Sequence, residues 1–238
     1  MNFVKRIVLS CLLVLCLLSS LLAQRPFLEG VISYKADTIT QAEPGGPPLF
    51  PTQTIVYKKG NALRIEIWRV NKFDSTDIMK DIYIRNDKGA YLYTESTKPI
   101  NRMLDSIALF MTHEEEKQLL AEQALQGMEF YTVDRVLQKT TWLNLPAEKV
   151  ALKGGSNQTL PEAVITRAID ITLGTLFNSV SKLPGTPLQF MLDERGWKIQ
   201  LTATSLTAKA LSDTLFRLDA KRKPMSMSQM GGELSDFK

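Results

Sequence analysis

The chain has 238 residues, 29 Lys and Arg against 25 Asp and Glu, a formal charge of +4, and one histidine, His113. So small a basic excess, without Lys/Arg clusters interleaved with aromatics, argues against a nucleic-acid-binding surface. One histidine and two cysteines leave little for catalytic triads or zinc centres, which draw on several such residues.

Residues 1–23 have the three-part order of a secretory signal. Lys5 and Arg6 are the positive start, residues 7–18 are nearly all apolar, and residues 19–23 end on Ala23, with Leu21 and Ala23 where a signal peptidase reads. The apolar stretch, 7–22, falls short of the ~20 residues a bilayer span needs. Leu9-Ser10-Cys11 looks locally like a lipid-attachment box, but it precedes the apolar run instead of ending it. Cleavage after Ala23 is predicted, giving a chain that begins at Gln24. Cys11 and Cys16 both leave with the signal. The product then has no disulfide, no thiol nucleophile and no thiolate metal ligand, and its charge falls to +2. Residues 24–223 read as a single β-rich envelope domain, and 224–238 as a disordered Met/Ser/Gly tail.

Several segments alternate with period two, as half-buried strands do. The first is 28–35. Strands over 53–58 and 62–70 flank the turn signal Lys59-Gly60-Asn61, with Leu63, Ile65 and Ile67 on one side and Arg64 and Glu66 on the other. Strands over 79–85 and 90–94 flank Asn86-Asp87-Lys88-Gly89, and Ile82 and Ile84 share a side. These hairpins predict an antiparallel meander with one apolar face. The stretch 38–51, with its prolines and paired glycines, predicts a loop. Thr112-His113-Glu114-Glu115 is a capping box opening a helix over about 113–126, with three glutamates at the positive end of its dipole. Strands follow over 129–139 and, after a break at Pro146, over 147–152. Residues 164–173 alternate again, and 154–161 are a loop. Residues 175–183 place Leu176, Phe177, Val180 and Leu183 on one face of a short helix. A last hairpin joins 187–192 to 197–203 across Asp193-Glu194-Arg195-Gly196.

The residue chemistry favours no enzyme class. His113 has no second histidine or cysteine to join it and sits at a solvated helix start. There is no G-x-S-x-G elbow, and Gly154-Gly155-Ser156-Asn157 lacks the Lys-Ser/Thr of a phosphate loop. Met225, Met227 and Met230 offer thioethers of the kind Cu(I) takes, too few on a polar tail to define a site. No catalytic residue, cofactor or metal is expected.

The order of certain segments resembles a family. Glu29-Gly30-Val31-Ile32-Ser33-Tyr34 follows the signal; Leu145-Pro146-Ala147-Glu148-Lys149-Val150-Ala151-Leu152 stands where related chains carry "aGykaeKy"; Leu183-Pro184-Gly185-Thr186-Pro187-Leu188 and Leu211-Ser212-Asp213-Thr214-Leu215-Phe216 come later. This is similar to GLPGLI-type and related secreted families of Gram-negative envelopes, which in turn resemble the LolA/LolB lipoprotein carriers. The resemblance implies a mostly β fold: a strongly curved antiparallel sheet, an incomplete LolA-like β-barrel, covered by one or two short helices. It also implies a periplasmic or envelope protein that binds an acyl or lipidated ligand without catalysis. Ile65, Ile67, Ile82, Ile84, Phe190, Leu192, Ile199 and Leu201 would line the hollow, since their strand neighbours are polar. Leu120, Leu176, Phe177 and Val180 would close its mouth. A lipid or lipidated protein is the expected partner. The alternative is a structural or adaptor protein with a packed core and a protein partner in the periplasm or outer membrane; an enzyme of unknown type is the third reading.

Overall fold

The computed structural model describes residues 27–40, 49–71, 73–98, 104–125, 130–154, 162–194 and 197–230. The predicted signal, the 38–51 loop over 41–48 and the 154–161 loop over 155–161 lie outside the described residues. Among the described residues the fold is mostly β: one twelve-stranded sheet that does not close, with few and short helical segments.

The strands are β1 (Glu29–Thr40), β2 (Leu49–Lys59), β3 (Ala62–Asn71), β4 (Asp74–Asn86), β5 (Gly89–Ser96), β6 (Ile107–Met111), β7 (Thr132–Trp142), β8 (Leu145–Lys153), β9 (Glu162–Thr166), β10 (Thr186–Glu194), β11 (Trp197–Ala208) and β12 (Lys223–Met225). Their order across the sheet is β12-β6-β5-β4-β3-β2-β1-β11-β10-β9-β8-β7. Two meanders, β1–β6 and β7–β11, are therefore joined through β1 and β11, which pair antiparallel. Among the described residues β12 alone runs parallel to its neighbour, β6.

The sheet has an inner and an outer apolar face. The inner one carries Ile32, Tyr34, Ile65, Ile67, Tyr83, Val150, Ile165, Leu188, Phe190, Ile199 and Leu201 in one buried cluster. Helix α1 (His113–Leu125) and the 3₁₀ segment Gly174–Val180 lie over it, and Leu119, Phe177 and Val180 pack against it. The predicted capping box opens α1. The Thr112 amide donates to Glu115 Oε2 at 2.7 Å, and the Glu115 amide donates back to Thr112 Oγ1 at 3.2 Å. The turn between β7 and β8 is tight, with Leu143 and Asn144 both left-handed at φ 51° and 63°. That conformation is unfavourable for a leucine. It is held because Trp142, Leu143 and Leu145 all pack on the inner core, and Trp142 Nε1–H donates to the Ala203 carbonyl at 3.0 Å. The hairpin tip thus folds over to reach β11, although three strands separate β7 from β11 in the sheet.

Several sequence readings need correction. Ile82 and Ile84 do not face inward. Register places Ile82 opposite Glu66 and Ile84 opposite Arg64, and the inward residue opposite Ile65 is Tyr83. The outer face, on which the pattern places polar residues in water, is crossed by the C-terminal segment as a strap. Leu211 and Phe216 bury against Val31, and Leu218 packs on a cluster of Ile82, Ile84, Tyr91, Tyr93 and Ala108. Beneath the strap, Arg64 and Glu66 form a 2.7 Å ion pair with side chains only 12% and 8% exposed, and Arg64 Nη1 donates to the Leu215 carbonyl at 3.2 Å. Residues 224–230 belong to this ordered segment, not to a disordered tail: β12 pairs with β6, and Met225 is buried. Residues 231–238 lie outside the described residues. Of the alternating run 164–173 only 164–166 are strand, as the end of β9. Beyond it, Thr186 Oγ1 substitutes for a ladder, accepting from the Ile171 amide at 2.8 Å and donating to the Ile169 carbonyl at 3.0 Å. Pro146 does not break β8, which runs through it; the break is the Leu143–Asn144 turn.

Candidate functional site

Five of the residues expected to line a hollow, Ile65, Ile67, Phe190, Ile199 and Leu201, do come together on the inner face, and Leu192 packs against them half-buried. Ile82 and Ile84 are on the other side of the sheet. Of the expected mouth residues, Leu176, Phe177 and Val180 rest on the inner cluster; Leu120 is half-buried, and its neighbour Leu119 makes the contact instead. Around Phe190 the space is taken by side chains. Its ring meets Tyr34 at 6.2 Å and Phe177 at 5.8 Å, both edge to face. Tyr34 is anchored in turn by donating to the Pro187 carbonyl at 2.9 Å. Burial raises the Tyr34 pKa, so the phenol stays a neutral donor.

Two solvent-open clefts lie elsewhere, and none of the twelve expected residues lines either one. The first, about 1050 Å³, is mainly apolar and sits at one end of the sheet. Its walls come from the two residues before β1 (Phe27, Leu28), the β7–β8 hairpin tip (Leu145, Pro146, Ala147), the end of β9 and the turn after it (Ile165, Ala168, Ile169), and the end of β11 (Leu206, Ala208). Four chain segments converge because the hairpin tip folds back toward β11. Gly30 permits the closest approach: a Cβ there would lie 2.3 Å from the Thr207 carbonyl oxygen and 2.5 Å from the Phe27 ring. Leu28, on the wall, is 63% exposed.

The polar groups of this cleft are few. Glu29 is already engaged by the Leu211 amide and by Lys59 at 3.6 Å. Lys139 stands opposite Glu148 in the β7–β8 register. Arg167 Nη2 lies 3.6 Å from Glu148 Oε2. That oxygen is closed to solvent, and among the described residues the Arg167 ion pair is its contact in place of a hydrogen bond.

The second cleft, about 1100 Å³, is lined by Lys58, Lys59, Arg85, Lys88 and Arg217 together with Asp87, Asp170, Asp213 and His113. Much of its charge secures the strap. Lys59 pairs with Asp213 at 2.7 Å and donates to the Leu211 carbonyl at 2.7 Å, and Asn86 donates to the Phe216 carbonyl at 2.8 Å. The Lys59 ammonium, bonded to Asp213, pulls that carboxyl below the ordinary range, and the carboxylate raises the lysine in return. At its edge the buried Glu116 accepts from Tyr83 and faces Arg85 at 3.4 Å and His113 Nδ1 at 4.0 Å. This arrangement fixes α1 to the sheet. Among the described residues no group of three His, Cys, Asp or Glu is placed to hold a metal ion, and no helix is long and apolar enough to cross a membrane.

Sequence reasoning missed the apolar cleft because its residues come from strand ends and turns, where periodicity carries no signal. The one hint was Leu28, a large apolar residue next to the polar Glu29 at the start of a strand. No family model matches the chain, and no curated protein matches it.

Proposed function

We propose that this is an exported envelope protein that binds an acyl chain, free or as part of a lipidated partner, in the apolar cleft at the end of the sheet, without catalysis. The observation that carries the reading is the cleft: about 1050 Å³, walled by aliphatic and aromatic side chains with a sparse polar rim. That is the size and character of a small-molecule site, typically ~300–1,000 Å³ with a few convergent polar groups. The signal-like residues 1–23 support an envelope location, and the open, curved sheet agrees with the resemblance to LolA-type carriers. The ligand position differs from the one the strand pattern implied. Phe190 is enclosed by Tyr34 and Phe177, so a chain would enter at the strand ends.

The test is titration of the purified chain with a dansylated undecanoic acid, comparing the natural protein with Ala208→Trp and Ala168→Trp. Both alanines are exposed on the cleft wall, so an indole there fills the cleft without disturbing the core. Saturable binding lost in both variants supports the reading; an affinity unchanged by them contradicts it.

The adaptor reading has one observation in its favour. Strand β7 is an edge of the sheet and exposes Val136 at 46% and Leu137 at 40%, so its outer backbone groups are open to strand addition by a partner. Val136→Asp with Leu137→Asp would remove crosslinks to envelope proteins under that reading and leave acyl binding untouched.

A further inference from the structure

The charged groups of the apolar cleft are matched in number and unmatched in reach. Glu29, Glu148, Lys139 and Arg167 line it. Both carboxylates are drawn in and engaged. The Glu29 side chain, 30% exposed, accepts from the Leu211 amide and faces Lys59 at 3.6 Å. The Glu148 side chain, 26% exposed, pairs with Arg167 Nη2 at 3.6 Å and stands opposite Lys139 in the β7–β8 register. The two cations reach outward: the Arg167 side chain is 65% exposed, and Lys139 is exposed as well. Building on the acyl-binding reading, we infer that the cleft prefers amphiphiles with an anionic head, a carboxylate or a phosphate, which Arg167 and Lys139 receive at the rim.

The sheet keeps the two cations together. Glu148 lies on β8 opposite Lys139 on β7 and opposite Ile165 on β9, and Arg167 comes two residues after Ile165. The pairing with Glu148 does not exhaust the donors. A guanidinium has five N–H groups, and it is the Nη2 end of Arg167 that faces the carboxylate. Lys139 adds an ammonium with three more. An oxyanion head can therefore accept from both side chains without breaking the Glu148 pair. An ammonium head would approach the two exposed cations, and Glu148 Oε2, closed to solvent, offers it nothing. A neutral head gains less from the same donors, because a hydrogen bond from a cation to an anion is the stronger kind. The apolar walls take the chain in each case, so the head sets the preference.

The experiment displaces the dansylated probe from the full chain with ligands that share a dodecyl tail and differ in the head. Dodecanoate is compared with methyl dodecanoate, dodecyl phosphate with 1-dodecanol, and dodecyltrimethylammonium serves as the cationic control. Each anion is expected to bind more tightly than its neutral counterpart by on the order of fivefold at low salt, the scale of two exposed ion pairs, and the advantage should shrink as salt is raised. In the double variant Arg167→Gln with Lys139→Gln the advantage should disappear while the ester and the alcohol bind as before. The larger of the two advantages tells a fatty-acid carboxylate from a phosphate head. Binding of both anions no tighter than their neutral counterparts, or weaker than the cation, overturns the inference and leaves acyl binding standing. So does an advantage that survives in the double variant, which would place the anion elsewhere. An advantage that salt leaves untouched overturns it too, a test the natural protein provides even if the variant does not fold. Displacement by no member of the panel overturns the acyl reading, and the head-group preference falls with it.

Discussion

Phe190→Ala separates a filled inner face from a hollow one. Phe190 is fully buried and wedged between Tyr34 and Phe177, with Ile199 and Leu201 in the same cluster. Truncating a buried phenylalanine costs about 3–5 kcal/mol through lost transfer energy and the cavity left behind. Two edge-to-face ring contacts are lost here, which places the expectation in the upper half of that range. In a domain of this size one kcal/mol moves the melting temperature by ~2–4 °C, so the melt should fall by on the order of 10 °C or more. The assay is a thermal melt followed by circular dichroism, paired with acyl-probe titration well below the transition. Binding should be unchanged, because the apolar cleft does not include Phe190. An unmoved melt with lost binding would refute the reasoning and return Phe190 to the wall of a hollow.

Other perturbations probe separate parts of the structure. Phe216→Ala should destabilise by about 3 kcal/mol or more, since the ring is 5% exposed and, with Leu211, fastens the strap over Val31; urea unfolding measures it. Thr112→Ala removes the hydroxyl that accepts from the Glu115 amide and should cost about 1 kcal/mol, read as faster amide exchange in α1. Glu115 has its pKa lowered by bonds from the Thr112 amide and then from the Thr112 hydroxyl. The unfolded chain therefore takes up its proton first. The cap is at full strength above the ordinary glutamate range and weakens as pH falls through and below about 4, a loss that Glu115→Gln should remove from the acid limb of the α1 exchange profile. Mass spectrometry of the protein from an envelope fraction should find Gln24 at the N-terminus; a chain retaining residues 1–23, or a lipid on Cys11, would contradict export by cleavage.

The parts of the fold legible in sequence were those where local chemistry and burial agree. The hairpins at Lys59-Gly60-Asn61 and Asn86-Asp87-Lys88-Gly89 carry alternating strands beside turn residues, and the Thr112–Glu115 box announces α1. The face of β4 was not legible, because alternation tells which residues share a side but not whether the other side meets water. Ile82 and Ile84 are as buried as Tyr83, on the opposite surface. The strap escaped notice for a related reason. Leu211, Phe216, Leu218 and Met225 follow no regular period and stand among charged residues, so each reads as solvated until the outer face they cover is known. Pro224 also reads as a strand breaker, yet it fits the three-residue edge strand β12. The Leu143–Asn144 turn lacks the glycine such turns favour and is held by the packing of Leu143 on the core. The fold-back of this hairpin, and the cleft it helps to form, follow from tertiary contact alone.

The central claim is that an acyl chain occupies the cleft at the strand ends. Titration of the natural chain and Ala208→Trp with the dansylated acyl probe tests it most directly. The account predicts saturable binding to the natural protein and its loss in the variant at an unchanged melting temperature. Equal binding by both, or none by the natural protein, would contradict it.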